Sequence, residues 1–175
     1  MSAVIQLRRQ PLTADELEQC WQHLCADKTL AGIAYKFETD AWGGVRLSPA
    51  QTKRSRMVRR IARLLEHKLG GEALTELAII TSDGVKVPDV AWCSEAFMAQ
   101  HWSDIALRRA PEICVEVVSP SNSEAELGTK TNLYLGFGAQ EVWLVSEEGA
   151  VQIHTASGTR HDSAFGFNPA AELAT

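Results

Sequence analysis

Three features predict an α/β (α+β) domain with a mixed β-sheet flanked by helices. The run at 113–118, Ile-Cys-Val-Glu-Val-Val, is nearly continuous in apolar residues, as expected of a central strand covered on both faces. The helical stretch 124–135, closed by Gly136 and Gly138, leads into a second apolar strand at 141–145. Strand, helix, strand implies a parallel βαβ unit. Two hairpin patterns lie upstream and supply antiparallel strands.

Taken in order, Thr13 caps a packing helix with Asp15 and Glu16 in its first turn and Leu17, Cys20, Trp21 and Leu24 on one face. Residues 35–38 alternate as a strand carrying Glu38, Trp42-Gly43-Gly44 turns, and 45–47 returns before Ser48-Pro49. From 51 to about 69, Met57, Val58, Ile61, Leu64, Leu65 and Leu69 recur at helical spacing until Gly70-Gly71. Residues 74–81 and 85–92 around Asp83-Gly84 predict the clearest hairpin, with Asp89 near the end of its second strand. A short helix is expected over 94–102, a connecting segment over 104–110, and Ser119 and Ser121 are expected to cap the helix that follows the central strand. Residues 151–154 form an edge partner, and from Ser157 the tail is polar and uninformative.

The 175 residues, 45% hydrophobic and 22% charged, fit a single soluble domain over 1–175: helix and hairpin at 13–49, a core over about 50–155, and a short C-terminal tail. With no signal-like or membrane-spanning run, the expected location is the cytoplasm and no membrane partner is expected. Cys20, Cys25, Cys93 and Cys114 form no CxxC pair and read as reduced, structural thiols. His23, His67, His101, His154 and His161 are scattered without HExxH spacing, which argues against a zinc enzyme. No Gly-x-Ser-x-Gly and no phosphate-cradling Gly-rich loop occurs.

The chemistry-bearing feature is Asp89, Glu116 and Lys130 set among apolar strands. Burying a carboxylate between valines costs several kcal/mol unless a cation or hydrogen bonds compensate it. Either a divalent metal compensates Glu116, or Glu116 sits at an outward-facing strand position, or Lys86 or Lys130 pairs with it as a structural ion pair. If the strands of Asp89 and Glu116 are neighbours, both carboxylates reach one cation, and oxygen-only ligands favour Mg²⁺ or Mn²⁺. Lys130, with Tyr134 four residues on, then supplies an ammonium beside the site. The net charge of −5 leaves one basic segment as a polyanion footprint. In it Lys53, Arg56, Arg60 and Arg63 recur at three and four residues, either as phosphate contacts or as a solvated helix face.

Pro88-Asp89 followed by Glu116-Val117-Val118 resembles the Pro-Asp…(Asp/Glu)-X-Lys signature of restriction-endonuclease-like nucleases, with Val118 where the lysine is expected. The longer pattern of Pro111 to Ser121, Lys130, Tyr134, Gly138, Glu141 and Trp143-Leu144-Val145, with Glu38 and Ser48-Pro49 upstream, is similar to the bacterial Uma-two family. The resemblance covers roughly residues 35 to 155 and places the lysine on the following helix. It implies Asp89 and Glu116 as metal ligands, Lys130 as catalytic amine and Glu38 as accessory acid. Arg54 stands where the family often has histidine, Glu126 replaces an aspartate, and Ser146 ends a strand that usually ends in aspartate.

The expected function is a Mg²⁺- or Mn²⁺-dependent endonuclease acting on nucleic acid, DNA before RNA. The alternatives are an inactive nucleic-acid-binding module or an oligomeric scaffold. Trp102 and Phe97, outside the clearest strands, predict a homodimer.

Overall fold

The computed structural model describes residues 10–30, 35–49, 52–119 and 122–174. Its elements are α1 (Ala14–Ala26), β1 (Tyr35–Thr39), β2 (Val45–Pro49), α2 (Thr52–Leu69), β3 (Glu72–Leu74), β4 (Ile79–Thr81), β5 (Gly84–Lys86), β6 (Val90–Cys93), α3 (Glu95–His101), β7 (Ile113–Val118), α4 (Glu124–Gly136), β8 (Glu141–Ser146), β9 (Val151–Thr155), β10 (Gly158–Arg160) and α5 (Pro169–Leu173). Six strands make the main sheet in the order β10-β9-β8-β7-β6-β3. Only β7 and β8 pair in parallel, joined by α4, and every other pair is antiparallel. The mixed sheet expected from the βαβ unit and its hairpins is thus observed. No helix among the described residues is long and apolar enough to cross a membrane.

Alternation along β7 decides what each sheet face meets. Val115, Val117 and Ile113 join Trp92, Trp143 and the apolar stripe Met57, Ile61 and Leu65 of α2 in one core. Cys114 turns the other way and packs with Tyr134 of α4. Glu116 shares the parity of Cys114 and therefore points to the α4 side, where Tyr134 meets it.

The hairpin expected over 74–92 is interrupted. Its tip, β4 with β5, forms a separate two-stranded sheet, and its base pairs as β3 with β6. The two halves keep one register, so the interruption is a local parting opposite Pro88, which has no N–H to give the ladder. Glu76, at φ 61°, adopts a left-handed backbone in this break. Released from the hairpin, Asp89 donates its N–H to Val115 O at 2.9 Å.

The β1–β2 hairpin docks on β5 through side chains. Val85 N–H donates to Thr39 Oγ1 at 2.9 Å, and Lys86 Nζ donates to Thr39 O at 3.0 Å. Gly84 sits at φ 95° with Asp40 and Thr39 carbonyls against its Cα, a contact no Cβ permits. This docking holds β1 over the ends of β6 and β7. Beneath it α1, capped by the Thr13–Glu16 capping box, packs Leu17 and Trp21 against Ile80, Val85 and Val87.

Several local expectations are corrected. Ser123, not Ser119 or Ser121, caps α4 by accepting from Glu126 N–H at 3.2 Å. Ser119 instead closes a turn with Asn122, and Pro120 and Ser121 lie outside the described residues. Phe97 is core, packed with Cys93 and Leu107, so of the two aromatics taken as interface anchors only Trp102, 78% exposed, remains on the surface. The tail is structured: Phe165 and Phe167 make edge contacts with Trp92 and Trp143, and Leu173 is 3% exposed in the main core. Glu141, fully buried, accepts from Trp143 Nε1, Ser163 Oγ and Ala164 N and anchors that tail. Cys93 and Cys114 are buried, and burial pushes the Cys93 thiol up to about 12, which suits inert packing thiols.

Candidate active site

Register sets the centre of the site. Val90 pairs with Val115 in the β6–β7 ladder, so one step further Asp89 comes opposite Glu116 on the same face. A single ammonium, Lys36 Nζ, lies 2.9 Å from Asp89 Oδ1 and 3.5 Å from Glu116 Oε2. The two carboxylates are therefore inside the about 8 Å beyond which no cation is shared.

The other groups arrive from three directions. Strand β1 brings Lys36 and Glu38, two residues apart and hence on one face. Helix α4 contributes Lys130, whose Nζ donates to Glu38 Oε1 at 2.7 Å and Glu116 Oε1 at 3.3 Å. One turn later Tyr134 donates its hydroxyl to Glu116 Oε1 at 2.8 Å. The first turn of α2 adds Arg54, whose Nε and Nη2 grip Asp89 at 2.6–3.0 Å. Val117 N–H completes the shell of Asp89 Oδ2 at 2.8 Å, and Val87 N–H donates to Glu38 Oε1 at 3.0 Å.

Three acids and three cations thus alternate in one largely buried cluster. Burial opposes the charge on Asp89, but Lys36 and Arg54 outweigh it and hold the carboxyl below its usual range. Burial likewise disfavours the Lys130 ammonium, and Glu116 with Glu38 more than restores it, raising its pKa. Lys130 is a cation at neutral pH and cannot accept a proton there. Burial first, then Glu116, keeps the Tyr134 phenol protonated.

Two openings reach the cluster. A cleft of about 600 Å³ is lined by Lys36, Arg54, Arg59, Pro88 and Asp89. A smaller one of about 280 Å³ is lined by Glu38, Lys130, Lys86 and Arg46. All four residues implied by the resemblance, Asp89, Glu116, Lys130 and Glu38, are brought together. The stripe Lys53, Arg56, Arg60 and Arg63 is not: the cleft takes Arg54, Ser55, Val58, Arg59 and Ala62 of α2 instead, and Arg60 donates to Leu173 O. Lys86 pairs with Asp83, not Glu116.

Lys36 has no part in the site expected from the sequence, and Arg54 enters that expectation only as a departure from the family's histidine. Period-two spacing from Glu38 was a signal for Lys36. For Arg54 it was a first helical turn that holds cations and no acid, unfavourable against the helix dipole unless an acid from elsewhere meets it.

The donor set is that of a hard cation: Glu116 of β7, Asp89 just before β6, and Glu38 of β1 nearby. Its positions are taken, since both Asp89 oxygens are filled by Lys36, Arg54 and Val117 N–H. Among the described residues no three His, Cys, Asp or Glu side chains converge as metal ligands.

A solved structure titled as "a putative nuclease belonging to DUF820", from Anabaena variabilis, shares this fold with a TM-score of 0.60 at 21% identity, over 94% of this chain and 98% of that one. No curated protein matches the chain. The model of the Uma2 family, described as "Putative restriction endonuclease", matches residues 32–172, and on that match the chain belongs to the Uma2 family.

Proposed function

We propose that the protein is a divalent-metal-dependent endonuclease that hydrolyses phosphodiester bonds of DNA. The observation that carries this reading is the meeting of Asp89, Glu116 and Lys130 in one buried ion cluster, reached at Asp89 by the cleft of Arg54 and Arg59 and at Lys130 by the smaller opening. Asp89 and Glu116 are the residues that would hold Mg²⁺ or Mn²⁺, which supplies Lewis-acid charge at the phosphodiester.

The remaining work belongs to side chains. Arg54 and Arg59 meet backbone phosphates, which positions a strand without reading its bases. Lys130, fixed as an ammonium by Glu38 and Glu116, orients the attacking water and stabilises charge developing on the phosphate. Tyr134 positions Glu116 by its hydroxyl. Lys53, Arg56 and Arg63, outside the cleft, extend the phosphate footprint along α2.

Purified protein incubated with labelled DNA and RNA is expected to cut DNA in Mg²⁺ or Mn²⁺ and to stop in EDTA. Absence of cleavage with both metals overturns the reading. The mutual neutralisation of the six charges favours a second reading, a binding module without turnover. It is supported if the same samples bind nucleic acid in a salt-dependent way and never cut it.

Self-association through Trp102 is proposed as well, since two copies suit a duplex substrate. Light scattering at micromolar concentration should give a dimer mass, and a monomer mass rejects it.

A further inference from the structure

We infer that Lys36 is a tethered cation standing where a divalent ion binds between Asp89 and Glu116, so that metal loading requires Lys36 to leave. The inference rests on the metal-dependent reading above. Among the described residues Lys36 alone approaches all three acids, at 2.9 Å from Asp89, 3.5 Å from Glu116 and 3.8 Å from Glu38. An ion shared by Asp89 and Glu116 must take the same oxygens, Asp89 Oδ1 and Glu116 Oε2. Arg54 Nη2 also reaches Asp89 Oδ1, at 2.6 Å, and lies 3.8 Å from Glu116 Oε2, but the Lys36 ammonium lies nearer Glu116 and bridges the two acids, so it and a metal ion, whose oxygen bonds are only about 2.0–2.6 Å long, compete for one place.

The stem of Lys36 permits the exchange. Its side chain is 16% exposed and lines the cleft, so rotation about its aliphatic carbons carries the ammonium from the carboxylates into the groove. Phosphate in that groove is an alternative partner for the ammonium, as it is for Arg54. Substrate and metal then load together, and the empty cluster stays closed by its own ion pairs.

Mn²⁺ titration followed by the electron-paramagnetic-resonance signal of the free ion, with calorimetry alongside, tests this on the wild-type chain, Lys36→Met and Asp89→Asn. Methionine keeps the apolar stem and removes the charge. The expected result is Mn²⁺ binding at least about tenfold tighter in Lys36→Met than in wild type, and lost in Asp89→Asn. Equal or weaker binding in Lys36→Met overturns the inference and leaves the metal reading standing. Binding by neither protein overturns both. Should Lys36→Met fail to fold, Lys36→Gln, which also removes the charge and keeps a polar end for the carboxylates, is read by the same titration with the same expected direction and the same overturning result.

Discussion

Glu116→Gln is expected to lower DNA cleavage by at least about a thousandfold, and Lys130→Met by about a hundred- to a thousandfold, with opposite effects on metal affinity. Glutamine keeps the shape of Glu116 and its contact with Tyr134 but removes a ligand charge, so Mn²⁺ binding weakens with turnover. Lys130 does not ligate a cation, and its loss leaves the acids more negative, so Lys130→Met holds Mn²⁺ as well or better while kcat falls. Because Lys130 has a raised pKa, its charge contributes in full below its unfolded value and is lost only as pH rises through the folded one. The cleavage activity proposed for the wild type is therefore expected to show no alkaline limb from Lys130 between about pH 7 and 9, which a pH–rate profile checks.

The stability of the same variants separates a built cluster from an accidental one. Each single change leaves one charge uncompensated in a site where Glu116 is 3% and Lys130 8% exposed, at a cost of about 3–5 kcal/mol. The double variant restores neutrality and should be more stable than either single one, a coupling read from denaturant melts. Strictly additive losses, or activity that survives Glu116→Gln unchanged, would sink the assignment.

What could be read from the sequence follows the range over which each signal acts. The β7–α4–β8 unit was readable because its evidence is local: an apolar run, a helical period, and Gly138 at φ 111° just past the helix end. The four acid and amine residues were readable by family resemblance, and period two puts Glu38 on the same face of β1 as Lys36. Register was not readable. Nothing near Asp89 states that it falls opposite Glu116, and the parting of the hairpin at Pro88 that frees it depends on contacts with β7.

The basic stripe shows a different limit. Spacing of three and four residues shows that Lys53, Arg56, Arg60 and Arg63 share a face of α2, but not where that face points. The apolar stripe of Met57, Ile61 and Leu65 settles the orientation, and it turns Arg54, Val58 and Arg59 toward the cleft. The tail escaped for a related reason. Phe165, Phe167 and Leu173 are too sparse to make a period, and their partners lie far back in the chain at Trp92, Trp143 and α2.

That tail carries the largest stability effect expected of any change away from the site. Deleting residues 161–175 should cost most of the folding free energy, given that a domain of this kind has about 5–15 kcal/mol in total. Leu173 leaves the main core, worth about 1.5–3 kcal/mol of apolar burial, and the half-buried Phe165 and Phe167 add a smaller amount each, together with the edge contacts of two tryptophans. Glu141 then keeps Trp143 Nε1 and loses Ser163 Oγ and Ala164 N, which strands a buried carboxylate at the start of β8. Arg60 loses Leu173 O and Lys68 loses Glu172, so α2, which delivers Arg54 to the cleft, is loosened along its outer side. Phe167→Ala alone, at a half-buried position against Trp143, should cost about 1–2 kcal/mol in a urea melt without touching the ion cluster. If the truncated chain melts at the wild-type midpoint, the tail is a passenger and the placement of Arg54 does not depend on it.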